Sequence, residues 1–298
     1  MSLNEEGIKN LLSNTDSFIS HVFWFSEELP NPPGKGHYGT AINYVDIQER
    51  KDDFLRELRN TICNWVYSKA RYSELFDKEL EKRGLDPQNA ASHIESLAKK
   101  KFRRDAHQGQ FGELLLFNFL QYFFRAPPLL RKMPITTSSG MERYGADAIH
   151  YKPNGKDNVF YLGEAKAYTS KYQFNTAFRE AVSSIIKTYE GLQDELLLYI
   201  YDEFVDVELQ IIAEHFKEGI LENTKIELVC LISYNESKSI NGANEPIIKE
   251  NIRRVILDRC RDVDPNIFQR IDNNIVERFH YIIFPFWNFD TILNSFAS

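Results

Sequence analysis

One hairpin restricts what this chain can become more than any other stretch of it. The segment Tyr144-Gly-Ala-Asp-Ala-Ile-His-Tyr151 alternates apolar and polar positions as a short strand does, and Val159-Phe-Tyr-Leu-Gly-Glu-Ala-Lys-Ala-Tyr168 has the aromatic and β-branched content of a second strand. Between them, Lys152-Pro-Asn-Gly-Lys-Asp-Asn158 is a run of turn-forming residues. Side chains alternate along a strand, so Glu164 and Lys166 share a face. Pairing back across the turn brings Asp147, seventeen residues before Glu164 (164 − 147), to within a few ångström of it. The acid-x-Lys triplet also occurs at Glu49-Arg50-Lys51, in a run of charge leading into a helix, and at Glu236-Ser237-Lys238, in a polar turn after a strand. Only Glu164 and Lys166 sit inside a hydrophobic segment, where burying an acid and a lysine is costly unless they are paired or liganded. Two readings stay open: a structural ion pair, or an edge able to hold a metal. The glycines before each acid, and Glu113 upstream, favour the second.

Chain length and composition narrow the rest. The 298 residues suffice for one large or two small domains. We divide them near residue 105, with 1–105 as an N-terminal α+β region, a candidate for partner binding, and 106–298 as the domain that carries the acids. No flexible linker marks this boundary, so a shared core is open. No apolar run reaches the ~18 residues that span a bilayer, and the acidic start Met-Ser-Leu-Asn-Glu-Glu lacks a signal-peptide pattern. We expect a cytoplasmic protein with no membrane partner. Three well-separated cysteines (Cys63, Cys230, Cys260) read as reduced thiols, and the seven histidines form no HxH or HxxxH pair, which argues against zinc. A net charge of −7 argues against a general nucleic-acid coat. Local charge differs: Lys99, Lys100, Lys101, Arg103 and Arg104 put five cations in six residues, and Arg131-Lys132 adds a second basic point. The run is either a nucleic-acid contact or a solvated helix end.

Along the chain, His21–Phe25 and Gly39–Val45 read as strands, and helical spacing extends from Asp52 to Arg83. Gly84-Leu-Asp-Pro87 stops that helix, and a further one covers Asn89–Lys101. Gln110–Phe124 is a strongly apolar helix with Glu113 in its first turn. Then follow a short strand in Pro127–Met133, the loop Thr136–Gly140, the hairpin, and a helix over Gln173–Glu190. The remainder reads as a helical stretch over 193–218, a buried strand Lys225–Tyr234, helices near 246–261 and 266–278, and a last strand His280–Phe286. Helix, strands, helix, strand is an α/β sandwich on a mixed sheet. Aromatics of the first hundred residues serve either as core or as a partner surface.

The acids suggest a hard-metal site. Mg²⁺ prefers a few carboxylates, waters and a substrate phosphate. Asp147 and Glu164 are the expected direct ligands and the Ala165 carbonyl a third, with Lys166 orienting a water or stabilising charge at phosphorus. Glu113 either reaches the metal or suits the helix dipole. Gln173 either touches phosphate or caps its helix. Gly145 and Gly163 either make room for a phosphate backbone or mark bends. His150 reads as a core or surface residue rather than a base.

Glu113, Gly145-Ala-Asp147 and Gly163-Glu-Ala-Lys166 together resemble the motif of the PD-(D/E)XK nuclease superfamily. Asp147 matches its first acid, Glu164 its second, Lys166 its lysine and Glu113 its helix glutamate. No proline precedes Asp147. As a whole the sequence is similar to the HamA family, the effector subunits of Hachiman anti-phage defence, most clearly from about residue 105 onward. The resemblance implies a restriction-endonuclease-like α/β core with an N-terminal α+β extension. It also implies DNA cleavage of little sequence preference using Mg²⁺, with Mn²⁺ able to substitute, and restraint by the helicase subunit HamB. Two alternatives remain: a catalytically silent nuclease fold that binds DNA or regulates a helicase, and a stand-alone restriction or resolvase-type endonuclease.

Overall fold

The computed structural model describes residues 5–101, 107–130, 145–192 and 206–297. Among them, two short helices, α1 (Glu5–Leu11) and α2 (Asp16–Ile19), precede β1 (Val22–Glu27) and β2 (Gly36–Ile42). A small ladder, β3 (Tyr44–Val45) with β4 (Gln48–Glu49), leads into α3 (Lys51–Asn60), α4 (Ile62–Val66), α5 (Lys69–Lys82) and α6 (Pro87–Lys100). Next come α7 (His107–Phe123), β5 (Pro128–Leu130), β6 (Ala148–Asn154), β7 (Asp157–Lys171) and α8 (Phe174–Glu190). The chain closes with a helix over Gln210–Lys217, β8 (Thr224–Asn235), helices over Glu245–Arg261 and Asn273–Val276, β9 (Phe279–Phe286) and a last helix over Phe289–Ala297.

Seven of the strands form one mixed sheet in the order β1-β2-β9-β8-β7-β6-β5. Its middle, β2-β9-β8-β7, is parallel, and its two edges are antiparallel. The fold is therefore the expected α/β sandwich. The division at residue 105 does not coincide with any break in the sheet, because β2 pairs with β9 from the other end of the chain. Hairpin closure is as read from the sequence: Asn154 pairs with Asp157 across a two-residue turn in which Gly155 takes φ of 62°.

The strands explain the two layers. Central β7, β8 and β9 are apolar on both faces, as a parallel sheet covered on both sides requires. On one face, Phe111, Leu114, Leu115, Leu116, Phe119 and Leu120 of α7 are all fully buried, against Val229, Leu231, Ile282 and Phe284. On the other, Phe174, Ala177, Phe178, Ala181, Val182 and Ile185 of α8 pack with Leu162, Cys230, Ile232 and Tyr281. Each leucine, isoleucine, valine or phenylalanine among them contributes about 1.5–3 kcal/mol when buried. Phe18, Phe54 and Trp65 also go to the core, whereas Trp24 on β1 stays 40% exposed, edge-on to Tyr122 and Phe123.

Several boundaries differ from the sequence reading for local reasons. The expected helix Asp52–Arg83 is three helices. Thr61 donates its hydroxyl back to the Leu58 carbonyl at 2.7 Å, Tyr67 is extended, and Ser68 caps α5 by accepting from the Arg71 N–H at 3.1 Å. The Gly84 stop is confirmed, with Gly84 and Leu85 both at φ of 65°. The expected 266–278 helix is a 3-10 turn, Pro265–Phe268, and a four-residue helix, each opened by an aspartate cap, Asp264 and Asp272. The loop Thr136–Gly140, the Arg131-Lys132 pair, Arg103, Arg104 and residues 193–205 of the expected 193–218 helical stretch lie outside the described residues.

Candidate active site

Register places the two acids. Ala148 pairs with Gly163 in the antiparallel β6–β7 ladder, so Asp147, one step outward, stands opposite Glu164 and on the same side of the sheet. Asp147 is in the bend just before β6 rather than within the strand, as the sequence suggested. That bend follows Gly145, whose φ of 152° suits glycine alone. Two hydrogen bonds fix the residue: its N–H donates to the Gly163 carbonyl at 3.0 Å, and its Oδ2 accepts from the Ala165 N–H at 2.9 Å.

Glu164 is only 3% exposed, and Lys166 Nζ lies 2.9 Å from its Oε1. Burial pushes the Glu164 carboxyl up to about 7, the Asp147 charge adds to that, and Lys166 and the Ser184 hydroxyl offset only part. For Lys166, burial acts to lower the pKa, but Glu164 first, then Asp147 and Glu180, more than offset it, and the net direction is upward. An ammonium thus stays on a carboxylate that resists ionisation. Beside them, Cys230 pairs with Glu164 in the β7–β8 ladder; burial, with Glu164 adding, holds its thiol well above the usual range. The floor of the site is neutral and apolar.

Helix α8 supplies a roof that the sequence reading missed. Glu180 and Ser184, one turn apart, lie against the strand row Glu164, Lys166, Tyr168. Ser184 hydrogen-bonds Glu164, and the Tyr168 hydroxyl donates to Glu180 Oε2. The available signal was a polar i, i+4 pair bordering the buried stripe of Ala177, Ala181 and Ile185.

Other expected residues fall elsewhere. Glu113 is not in the first turn of its helix, which starts at His107 and has no acid in that turn. Helix α7 packs on the face of β7 opposite to Glu164: a Cβ at Gly112 would lie 3.4 Å from Ala165 Cβ and 3.7 Å from Ala167 Cβ. Among the described residues, no three His, Cys, Asp or Glu side chains converge to hold a metal. Gly163 also faces α7, where a Cβ would meet Leu116 Cδ2 at 2.8 Å; its missing side chain serves helix packing, not a phosphate. Gln173 occupies the N-cap of α8 but makes no side-chain cap bond. Lys100 ends α6 and Lys101 caps it, the end that suits cations, and Lys99 pairs with Glu95. His150 is a core residue, its Nδ1 2.8 Å from the Ala126 carbonyl. Glu236, taken as part of a polar turn, is buried and clasped by Arg259 at 2.6 and 2.9 Å.

A pair of hard oxygen donors with a lysine beside them fits Mg²⁺, which needs only one or two carboxylates and completes its shell with water and phosphate. Fold and site together define an α/β protein with a restriction-endonuclease-like core: a mixed sheet, helices on both faces, and an acid pair with a lysine at the β6–β7 fork. No curated protein matches the chain. The model of the HamA family matches residues 16–298, and the chain belongs to that family, the effectors of Hachiman anti-phage defence. The match includes β1 and β2, in keeping with a sheet that runs through the expected domain boundary. Among the described residues no helix is long and apolar enough to cross a membrane.

Proposed function

We propose that this chain is a Mg²⁺-dependent DNA endonuclease of low sequence preference, restrained by a helicase partner within the defence system. One observation carries the reading: a carboxylate only 3% exposed stands opposite a second acid and is covered by a lysine 2.9 Å away. Such charge in an apolar strand is costly to stability, and perturbed acids of this kind gather at functional sites. Asp147 and Glu164 would hold the ion, with the Ala165 carbonyl as a third ligand and Mn²⁺ as an alternative metal. When bound, the ion supplies charge neutralisation at the phosphodiester and an acidified water. Lys166, with its pKa moved upward, keeps its proton and acts as a donor that orients the attacking water or stabilises charge on the phosphoryl oxygens. Asp147 is held in place by the Ala165 N–H, and the apolar floor excludes bulk water from Glu164.

Plasmid DNA incubated with the chain and its helicase partner, with damaged DNA added as a candidate signal for release of the restraint, should be nicked in Mg²⁺ and not in EDTA. Glu164→Ala or Lys166→Ala should abolish cleavage while folding and partner binding persist. Cleavage that survives either change would remove the assigned chemistry.

A further inference from the structure

Lys166 covers Glu164, which means that it occupies the carboxylate a cation would need. Any ion entering between Asp147 and Glu164 must displace an ammonium, and that ammonium must find another acceptor. Helix α8 offers one. Glu164, Lys166 and Tyr168 alternate onto one face of β7, and α8 runs back over that face with Ser184 at Glu164 and Glu180 at Lys166 and Tyr168. Glu180 is solvent-exposed, and a glutamate so placed ordinarily samples several rotamers; here the Tyr168 hydroxyl donates to its Oε2 and holds it over the strand.

We propose that Glu180, steadied by Tyr168, is a positioning residue that receives the Lys166 ammonium when a divalent cation takes over Glu164. The inference rests on reading Asp147 and Glu164 as the metal pair and extends it to the face of α8. Lys166 can pivot at the end of its stem without moving the strand, because Tyr168 and Glu180 lie next along the same row. Charge balance points the same way. A dication and one ammonium are balanced by three carboxylates, at 147, 164 and 180, whereas two would leave the loaded site with an excess positive charge above an apolar floor. The sequence shows none of this, since Glu180 lies fourteen residues (180 − 166) beyond the lysine on a different element.

The test is Mn²⁺ binding to the full chain without DNA, read by the electron paramagnetic resonance of the free ion, alongside thermal melting. Glu180→Gln should weaken Mn²⁺ binding roughly three- to tenfold, the range set by one partly exposed ion pair. Tyr168→Phe should weaken it by less, Glu180→Asp should restore most of it, and Glu164→Gln serves as the control that removes a ligand. Unchanged Mn²⁺ affinity in Glu180→Gln overturns the role of Glu180 and leaves the metal pair standing. Lower affinity accompanied by an equal loss of melting temperature overturns it too, in favour of a structural role. Absence of any Glu164-dependent Mn²⁺ binding in the unmodified chain overturns the metal pair itself, and the role of Glu180 with it.

Discussion

Glutamine at position 164 should make the metal-free protein more stable than its parent in mild alkali, although it removes a salt bridge. Burial and the facing Asp147 charge raise the Glu164 carboxyl from 4.5 to about 7 even with Lys166 alongside. The folded chain therefore holds this proton more tightly than the unfolded one. Stability from the protonated group is fully present below the unfolded value and is lost as pH rises through about 7. A rise of about 2.5 pH units, at about 1.36 kcal/mol each, sets the loss near 3 kcal/mol between about pH 4 and about pH 8. The amide is neutral throughout and escapes it, while Lys166 keeps Asp147 and Glu180 as neighbours. Urea unfolding of both proteins in EDTA across that pH range measures the difference. The two should be close in acid, and the variant should lead by about 1–3 kcal/mol in alkali. Mg²⁺ should remove most or all of that lead: at about one hundred times its Kd it adds about 2.7 kcal/mol to the parent and nothing to a variant that has lost the ligand. A difference that stays flat with pH, or a variant weaker in alkali without metal, would refute the argument that Glu164 is a strained anion.

Two further outcomes probe the scaffold. Gly163→Ala should lower stability by about 1–3 kcal/mol in a denaturant melt, since its Cβ would sit 2.8 Å from Leu116 Cδ2 and 3.3 Å from Ala148 Cβ, yet Mn²⁺ affinity should hold if the site on the other face is unaffected. Glu236→Ala should cost about 3 kcal/mol at neutral pH by leaving Arg259, 21% exposed, without its clasp. Burial acts to raise the Glu236 pKa, but Arg259 and the Ser237 and Lys238 N–H groups lower it further, so this contribution is present above the ordinary carboxylate range and is lost on acidification. A destabilisation by Glu236→Ala that is as large in acid as near neutrality would contradict that account.

Strand residues were legible because their signal is local. Alternation in 144–151 and the strand content of 159–168, with a Pro-Asn-Gly turn between, specify the hairpin and hence the facing of Asp147 and Glu164. Helix ends were less legible. A hydroxyl at Thr61 and a cap at Ser68 divide one amphipathic pattern into three helices, and side-chain competition of that kind does not alter the apolar spacing. Glu113 was misplaced for a different reason: its helix begins a turn earlier than its apolar stripe.

By itself the chain's sequence determined the hairpin, the acid pair with its lysine, the apolar helix α7 and the mixed α/β class, all set by contacts between residues near in sequence or by a period along one element. Only the tertiary structure decided that β1 and β2 join β9 in one sheet, that α7 packs on the face of β7 away from Glu164, and that Glu180 and Ser184 come down over Lys166 and Glu164. The physical reason is that a strand's period fixes which residues share a face, whereas which helix covers that face depends on how whole apolar surfaces pack together.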